Sequence, residues 1–258
     1  MAEAAPKTDA GEVAGWPKLR FSYRTDPDRI AELLPPGITP GANPHVHIQI
    51  YCVPIIGEPE FGVSTKVEAD FDGIEGMYNL GMGIDQEAAI FNSQSMNGQP
   101  KFPCRIRFFR LQDEVEAKCT HQGYTFLDFR GRLGDPVEVD TTPEEQNEWW
   151  IKVSRQIGGA EKEYDFPPHV VRVRTVMGMK SSQPVDGDLI LRDSPWDPIA
   201  ELLPMREQLS ADLVTTSFHE REITNAGPLD PTAFWPFVDT IGGSRWPGER
   251  GGPRYGRG

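Results

Sequence analysis

Alternation of apolar and polar residues is the dominant pattern along this chain. Leu19 to Thr25 (LRFSYRT) alternates and predicts a strand. His45 to Val53 (HVHIQIYCV) alternates with β-branched residues and predicts a second. Val63 to Phe71 and Gly76 to Ile84 predict two more, the latter interrupted by glycines. Arg105 to Leu111, Val115 to Thr120 and Tyr124 to Arg130 read as a meander. Val170 to Met179, Leu189 to Arg192 and Asp212 to Glu222 complete the strands. Helical signals are fewer. Thr25 or Asp26 caps a short helix with Pro27 at its first position, ended by Pro35-Pro36-Gly37. Asp85 to Ala89 places acidic residues in a first helical turn, where the helix dipole favours them. Thr142-Pro143-Glu144-Glu145 has the form of a capping box and predicts a helix to about Ile157, closed by Gly158-Gly159. On such a helix Trp149 and Trp150 point about 100° apart. One of them then falls outside the core, which motivates an expected homo-oligomer interface. Many strands, few helices and no βαβ alternation predict an α+β fold with a largely antiparallel sheet or barrel.

Composition narrows this picture. The 258 residues include 13 Phe, 6 Trp and 6 Tyr, enough apolar bulk for a core that needs no disulfide or metal. No repeat or linker divides the middle, so one domain is expected over residues 15–244. Residues 1–14 and the Gly/Arg-rich residues 245–258 are expected to be flexible. The net charge of −13 gives no basic footprint for nucleic acid and repels anionic membranes. It also repels anionic substrates, so a carboxylate substrate would need a local cluster of cations. Three cysteines (Cys52, Cys104 and Cys119) with no C-x-x-C argue against a disulfide framework or structural zinc. The N-terminal stretch carries no apolar signal region, and no apolar run reaches about 18 residues. The expectation is a cytoplasmic protein with no membrane span.

The most unusual segment is Asn92 to Phe102 (NSQSMNGQPKF), polar and glycine-containing between an apolar stretch and a strong strand. Pro100 fixes φ immediately before Lys101. A lysine at the mouth of a strand, beside Phe102 and Pro103, can be partly desolvated, and desolvation disfavours the ammonium. A neutral amine attacks a ketone to form an imine. The protonated imine is an electron sink that lets a neighbouring C–C bond break. On spacing alone, a surface lysine capping a strand is the commoner case.

Four stretches occur together in order: FSYRTDPDRIAELLPPGI, ADFDGIEGMYNLGMGIDQEAAI, the pair Pro100-Lys101, and DPIAELLPMREQLSADLVTTSFH. Together they resemble the acetoacetate decarboxylase superfamily over about residues 16–225, most sharply from Gly73 to Lys101. The resemblance implies a strongly curved, cone- or barrel-like antiparallel sheet enclosing the site. It implies no cofactor and a carbonyl or carboxylate small molecule as substrate. Lys101 then takes the place of the lysine that forms the Schiff base with a β-keto acid. The implied activity is carbon–carbon lyase chemistry, by decarboxylation or by aldol-type steps. Three departures stand out. Phe102 occupies the place of a second lysine. Ser93-Gln94-Ser95 replaces a Gly-Arg-Glu. The counterpart of a site glutamate falls around Lys66 to Glu68, so either residue could tune or shuttle protons. Tyr78 and Gln94 are candidate polar pocket groups. A cofactor-free lyase or isomerase without an imine, or a non-catalytic small-molecule binder, are the alternatives on the same fold.

Other groups read more blandly. His45 and His47 share a strand face as metal ligands can, yet no further ligand follows at a recognisable spacing. They read as solvent-facing polar residues, and no metal is expected. Arg20 and Arg24 share one strand face and Arg105 and Arg107 another; Arg24 is carried as a candidate carboxylate clamp. Cys104 reads as a small buried hydrophobe rather than a nucleophile.

Overall fold

The computed structural model describes residues 8–55 and 57–238; residues 1–7 and the expected tail at 245–258 lie outside them. In chain order the elements are β1 (Lys18–Arg24), α1 (Pro27–Leu33), β2 (Thr39–Pro40), β3 (His45–Ile55), β4 (Glu58–Phe71), β5 (Ile74–Ile84), α2 (Glu87–Asn97) and β6 (Lys101–Pro103). Then follow β7 (Arg105–Leu111), β8 (Glu114–His121), β9 (Tyr124–Leu133), β10 (Glu144–Arg155), β11 (Tyr164–Leu191), α3 (Ile199–Leu202), β12 (Glu207–Pro228) and α4 (Pro231–Phe234).

The sheet runs β10-β5-β4-β3-β1-β12-β11, and β11 pairs back onto β10, so seven strands close into a barrel. The pairing is antiparallel throughout except for short parallel contacts of β5 with β10 and β6. The far half of β11 leaves the ring and pairs with β9, extending the sheet through β8 to β7 as a three-stranded wing. Ahead of β1, Val13 donates its N–H to the Phe108 carbonyl at 2.9 Å and is buried against this wing.

Strand alternation decides what faces where. Leu19, Phe21 and Tyr23 of β1, Val46, Ile48 and Ile50 of β3, and Phe61, Val63 and Val67 of β4 join one apolar cluster. That cluster also holds Ile30 and Leu33 of α1, Phe108 and Phe129 of the wing, and Phe234 of α4. The main core therefore lies outside the ring, between its wall and these covering elements. The inward rows carry polar residues beside smaller apolar clusters, such as those of Met82 and Trp150.

One expectation is corrected. The stretch from Glu144 to Arg155 is strand β10, not a helix. Its capping-box letters are overridden by tertiary pairing with β11 on one side and β5 on the other. On a strand, Trp149 and Trp150 point to opposite faces, and both are buried within the one chain. Trp149 joins the main core, whereas Trp150 packs with Val171 and Val173. The pair no longer argues for an oligomer. Helix α2, expected from its start at Asp85 to Ala89, runs on through Asn92 to Asn97. Among the described residues, no helix is long and apolar enough to cross a membrane.

Candidate active site

Three local features bring Lys101 to the inside of the ring. Helix α2 ends at Gly98, whose φ of 66° is left-handed. There the backbone passes β10 so closely that a Cβ would lie 2.3 Å from the Ile151 carbonyl oxygen. Pro100 then fixes φ, and β6 pairs with β5 so that Lys101 lies opposite Met82. Gln94 of α2 donates its side-chain amide to the Lys101 carbonyl. From Lys101 one register row continues around the wall through Met82, Ser64 and Gln49 to Arg20.

Lys101 is 7% exposed, and its Nζ donates to Glu60 Oε2 at 3.1 Å; the Glu60 side chain is 4% exposed. Beside them the Tyr51 ring lies over Gly62, where a Cβ would come within 2.3 Å of Tyr51 Cζ. Burial, with Glu60 and Glu148 adding to it, pushes the Tyr51 hydroxyl well above its ordinary pKa. A second cluster centres on Glu148 of β10. It accepts from Lys66, from Asn79 Nδ2 at 2.8 Å, and from the Trp150 indole N–H. Burial works against the Glu148 charge, but Lys66, Asn79 and Trp150 outweigh it and hold the carboxyl below its ordinary range. Lys66 and Glu148 meet across β5, with Asn79 of β5 between them.

Lys18 of β1 belongs to the same interior. Burial first, then Lys66 and Arg20, bring its pKa down to about 8. Arg221 of β12 stacks over the Trp150 ring at 5.7 Å and adds to the field on Lys18. At the end of β5, Asp85 accepts the Phe61 N–H at 2.8 Å, yet burial and then Glu60 push it up to about 6. The interior thus sets Lys18, Lys66, Lys101 and Arg20 against Glu60, Glu148 and Asp212. A molecule of charge −13 gathers four cations in its interior, matched by four carboxylates once Asp85 is included.

The arrangement matches known proteins. The profile described as "Acetoacetate decarboxylase (ADC)" covers residues 3–226. The chain belongs to the acetoacetate decarboxylase family. Solved structures agree in fold. An acetoacetate decarboxylase superposes with a TM-score of 0.72 at 15% identity, over 83% of this chain and 88% of its own. The acetoacetate decarboxylase of Legionella pneumophila gives 0.68 at 17%, over 89% and 92%. The enduracididine biosynthesis enzyme MppR complexed with pyruvate gives 0.62 at 16%, over 80% and 87%. Among curated proteins, none matches the chain.

Within this family fold the predicted residues scatter. Lys101 and Lys66 both face the lumen, in separate ion pairs. Gln94 touches the lysine's backbone rather than open space. Phe102, one residue on, points through the wall and packs on the His121 ring at 4.9 Å. It lines a narrow apolar cavity with Leu80, Phe126 and Ile199 on the outer side. Tyr78 also faces outward, into the apolar core, where burial pushes its hydroxyl far up. Arg24 lies at the exposed end of β1, paired with Glu207 at 2.9 Å. Glu68 sits eight residues along β4 from Glu60 and contacts His45, His47 and Asn43. Sequence reading missed Glu60, Tyr51, Lys18 and Glu148. Lys18 alone left a trace, as the polar position two before Arg20 on an alternating strand. Glu60 lies 41 residues from Lys101, and only the β4–β5–β6 register joins them.

Proposed function

We propose that this chain is a carbon–carbon lyase acting on a keto acid through a Schiff base at Lys101. The buried Lys101–Glu60 pair, facing an interior that also holds Lys18, Lys66 and Arg20, carries the reading. Glu60 accepts the ammonium proton, and the freed amine of Lys101 attacks the substrate ketone. The carbinolamine takes that proton back on oxygen and leaves as water, giving an iminium. The bond between the carbons α and β to the former carbonyl carbon then breaks, its electron pair moving toward the iminium nitrogen to give an enamine, and the β fragment leaves as carbon dioxide or, on losing its hydroxyl proton, as an aldehyde. Protonation at carbon and hydrolysis release product and restore Lys101. Lys18 and Arg20 meet the substrate carboxylate, and Lys66 is held in place by Glu148. Decarboxylation and aldol-type cleavage use the same electron sink. The pyruvate complex of MppR supports a small 2-keto acid as the substrate class for aldol-type steps, whereas decarboxylation through this sink needs a 3-keto acid.

The same ion pair favours a second reading, in which Lys101 acts as a paired ammonium or general acid and no imine forms. Turnover across a panel of keto acids tests the site. Lys101→Ala should abolish it, and Glu60→Gln should cost about 10²–10⁴ in kcat. Lys101→Ala with intact turnover would overturn the assignment of the site.

A further inference from the structure

At the far end of the same β3–β4 surface lies a cluster that imine chemistry does not use. His45 and His47 are two residues apart on β3 and share a face. Glu68 of β4 lies beside them, two residues after Lys66, the register partner of His47. His45 Nδ1 is 3.3 Å and His47 Nε2 is 3.4 Å from the same oxygen, Glu68 Oε1. The three atoms all lie within 4.8 Å of one another. Two ligands of a tetrahedral zinc ion with bonds near 2.0–2.1 Å stand about 3.4 Å apart. Both contacts to Oε1 match that spacing and are long for hydrogen bonds.

The other Glu68 oxygen is already engaged. The Asn43 backbone N–H and its Nδ2 donate to Oε2 at 3.2 and 3.1 Å. Such outer partners orient a ligating carboxylate and leave its second oxygen for the ion. The side chains are 28%, 26% and 19% exposed, so an ion can enter. The nearest ammonium, Lys66, is engaged by Glu148.

We propose that His45, His47 and Glu68 form a binding site for a first-row divalent transition-metal cation of the zinc class. Two imidazoles and one carboxylate are a donor set suited to zinc, cobalt or nickel and poorly suited to magnesium or calcium, which prefer oxygen. Three protein ligands leave coordination positions for water or a small anion. Eight residues of extended strand separate Glu68 from Glu60, roughly 26 Å, so the site is distinct from Lys101. Its occupancy clips β3, β4 and the turn at Asn43 together at one end of the barrel.

The test is titration of tag-free, chelator-treated full-length protein with Zn²⁺, with Mg²⁺ and Ca²⁺ as controls and Co²⁺ absorption as a report on geometry. One saturating equivalent of Zn²⁺, a raised thermal midpoint and a tetrahedral Co²⁺ band are expected, with no response to Mg²⁺ or Ca²⁺. His47→Ala and the shape-conserving Glu68→Gln should each weaken binding at least tenfold, and Asn43→Ala about 10–100-fold. His45→Ala provides the same reading should one of these fail to fold. No saturable zinc binding by the wild type at millimolar zinc, or binding unchanged in His47→Ala and Glu68→Gln, would overturn the proposal.

Discussion

At the scale of single residues, the Lys101–Glu60 pair is both the proposed chemical centre and a structural commitment. Each ion is almost wholly desolvated, so removing either leaves a buried charge without its partner. Lys101→Met and Glu60→Gln should each lower stability in urea unfolding, by on the order of 3–5 kcal/mol at most. The double variant should recover much of that loss. Additive losses would show that the two side chains do not interact. Lys18 makes a second residue-level prediction. Its pKa falls from 10.5 to about 8 on folding. Between pH 8 and 10.5 the unfolded chain binds a proton that the folded chain does not, so Lys18 makes stability rise with pH across that window. Below pH 8 the full cost of the buried ammonium is present. Lys18→Met should therefore be more stable than wild type at pH 7, by on the order of 2 kcal/mol, with the difference closing by pH 10.5. An equal stability difference at both pH values would contradict the buried placement. Pro100 and the strand mouth mark Lys101 only as a candidate; the family resemblance, not local spacing, singles it out. Tyr78 faces outward because the β-bulge of β5 opposite Thr65 and Lys66 resets the alternation, and Phe102 because it follows inward-facing Lys101 on a strand; neither face is readable without the register.

At the scale of elements, two glycines position the machinery. Gly98 combines a left-handed φ with a close pass over the Ile151–Lys152 backbone. Gly98→Ala should cost at least about 1 kcal/mol and displace β6, so imine formation should fall along with thermal stability. Gly62 is different, because its added methyl would meet only the movable Tyr51 ring. Gly62→Ala should leave the fold intact by circular dichroism while displacing Tyr51 from the lumen and reducing turnover. Unaltered kinetics would remove Tyr51 from the site. Most strands were legible because one face of each is apolar and the other polar, which alternation reports directly. Helix α2 was legible only at its start, since Asn92 to Asn97 are weak helix formers held by tertiary contacts and the Gly98 cap. Strand β10 was illegible, because a local helix-start signal competed with pairing to partners far away in sequence.

At the scale of the whole molecule, ring closure depends on β10. Its parallel contact with β5 is brief, Glu148 opposite Met77 and Trp149 opposite Tyr78. The bonds from Lys66, Asn79 and Trp150 to Glu148 reinforce that seam. Glu148→Ala should speed amide hydrogen exchange in β5 and β10 while leaving the wing strands β7, β8 and β9 unchanged; uniform exchange would place closure elsewhere. The closed ring also explains how an acidic protein gathers Lys18, Lys66, Lys101 and Arg20 inside it. Its carboxylates sit largely outside, and composition reports only their sum. The central claim is that Lys101 forms an imine, and borohydride trapping tests it most directly. The protein is incubated with pyruvate or acetoacetate, reduced, digested and mapped by peptide mass spectrometry. The account predicts one covalent adduct, on Lys101, absent from Lys101→Ala. No adduct with the folded protein across a broad panel of keto acids, or an adduct on Lys18 that persists in Lys101→Ala, would contradict it.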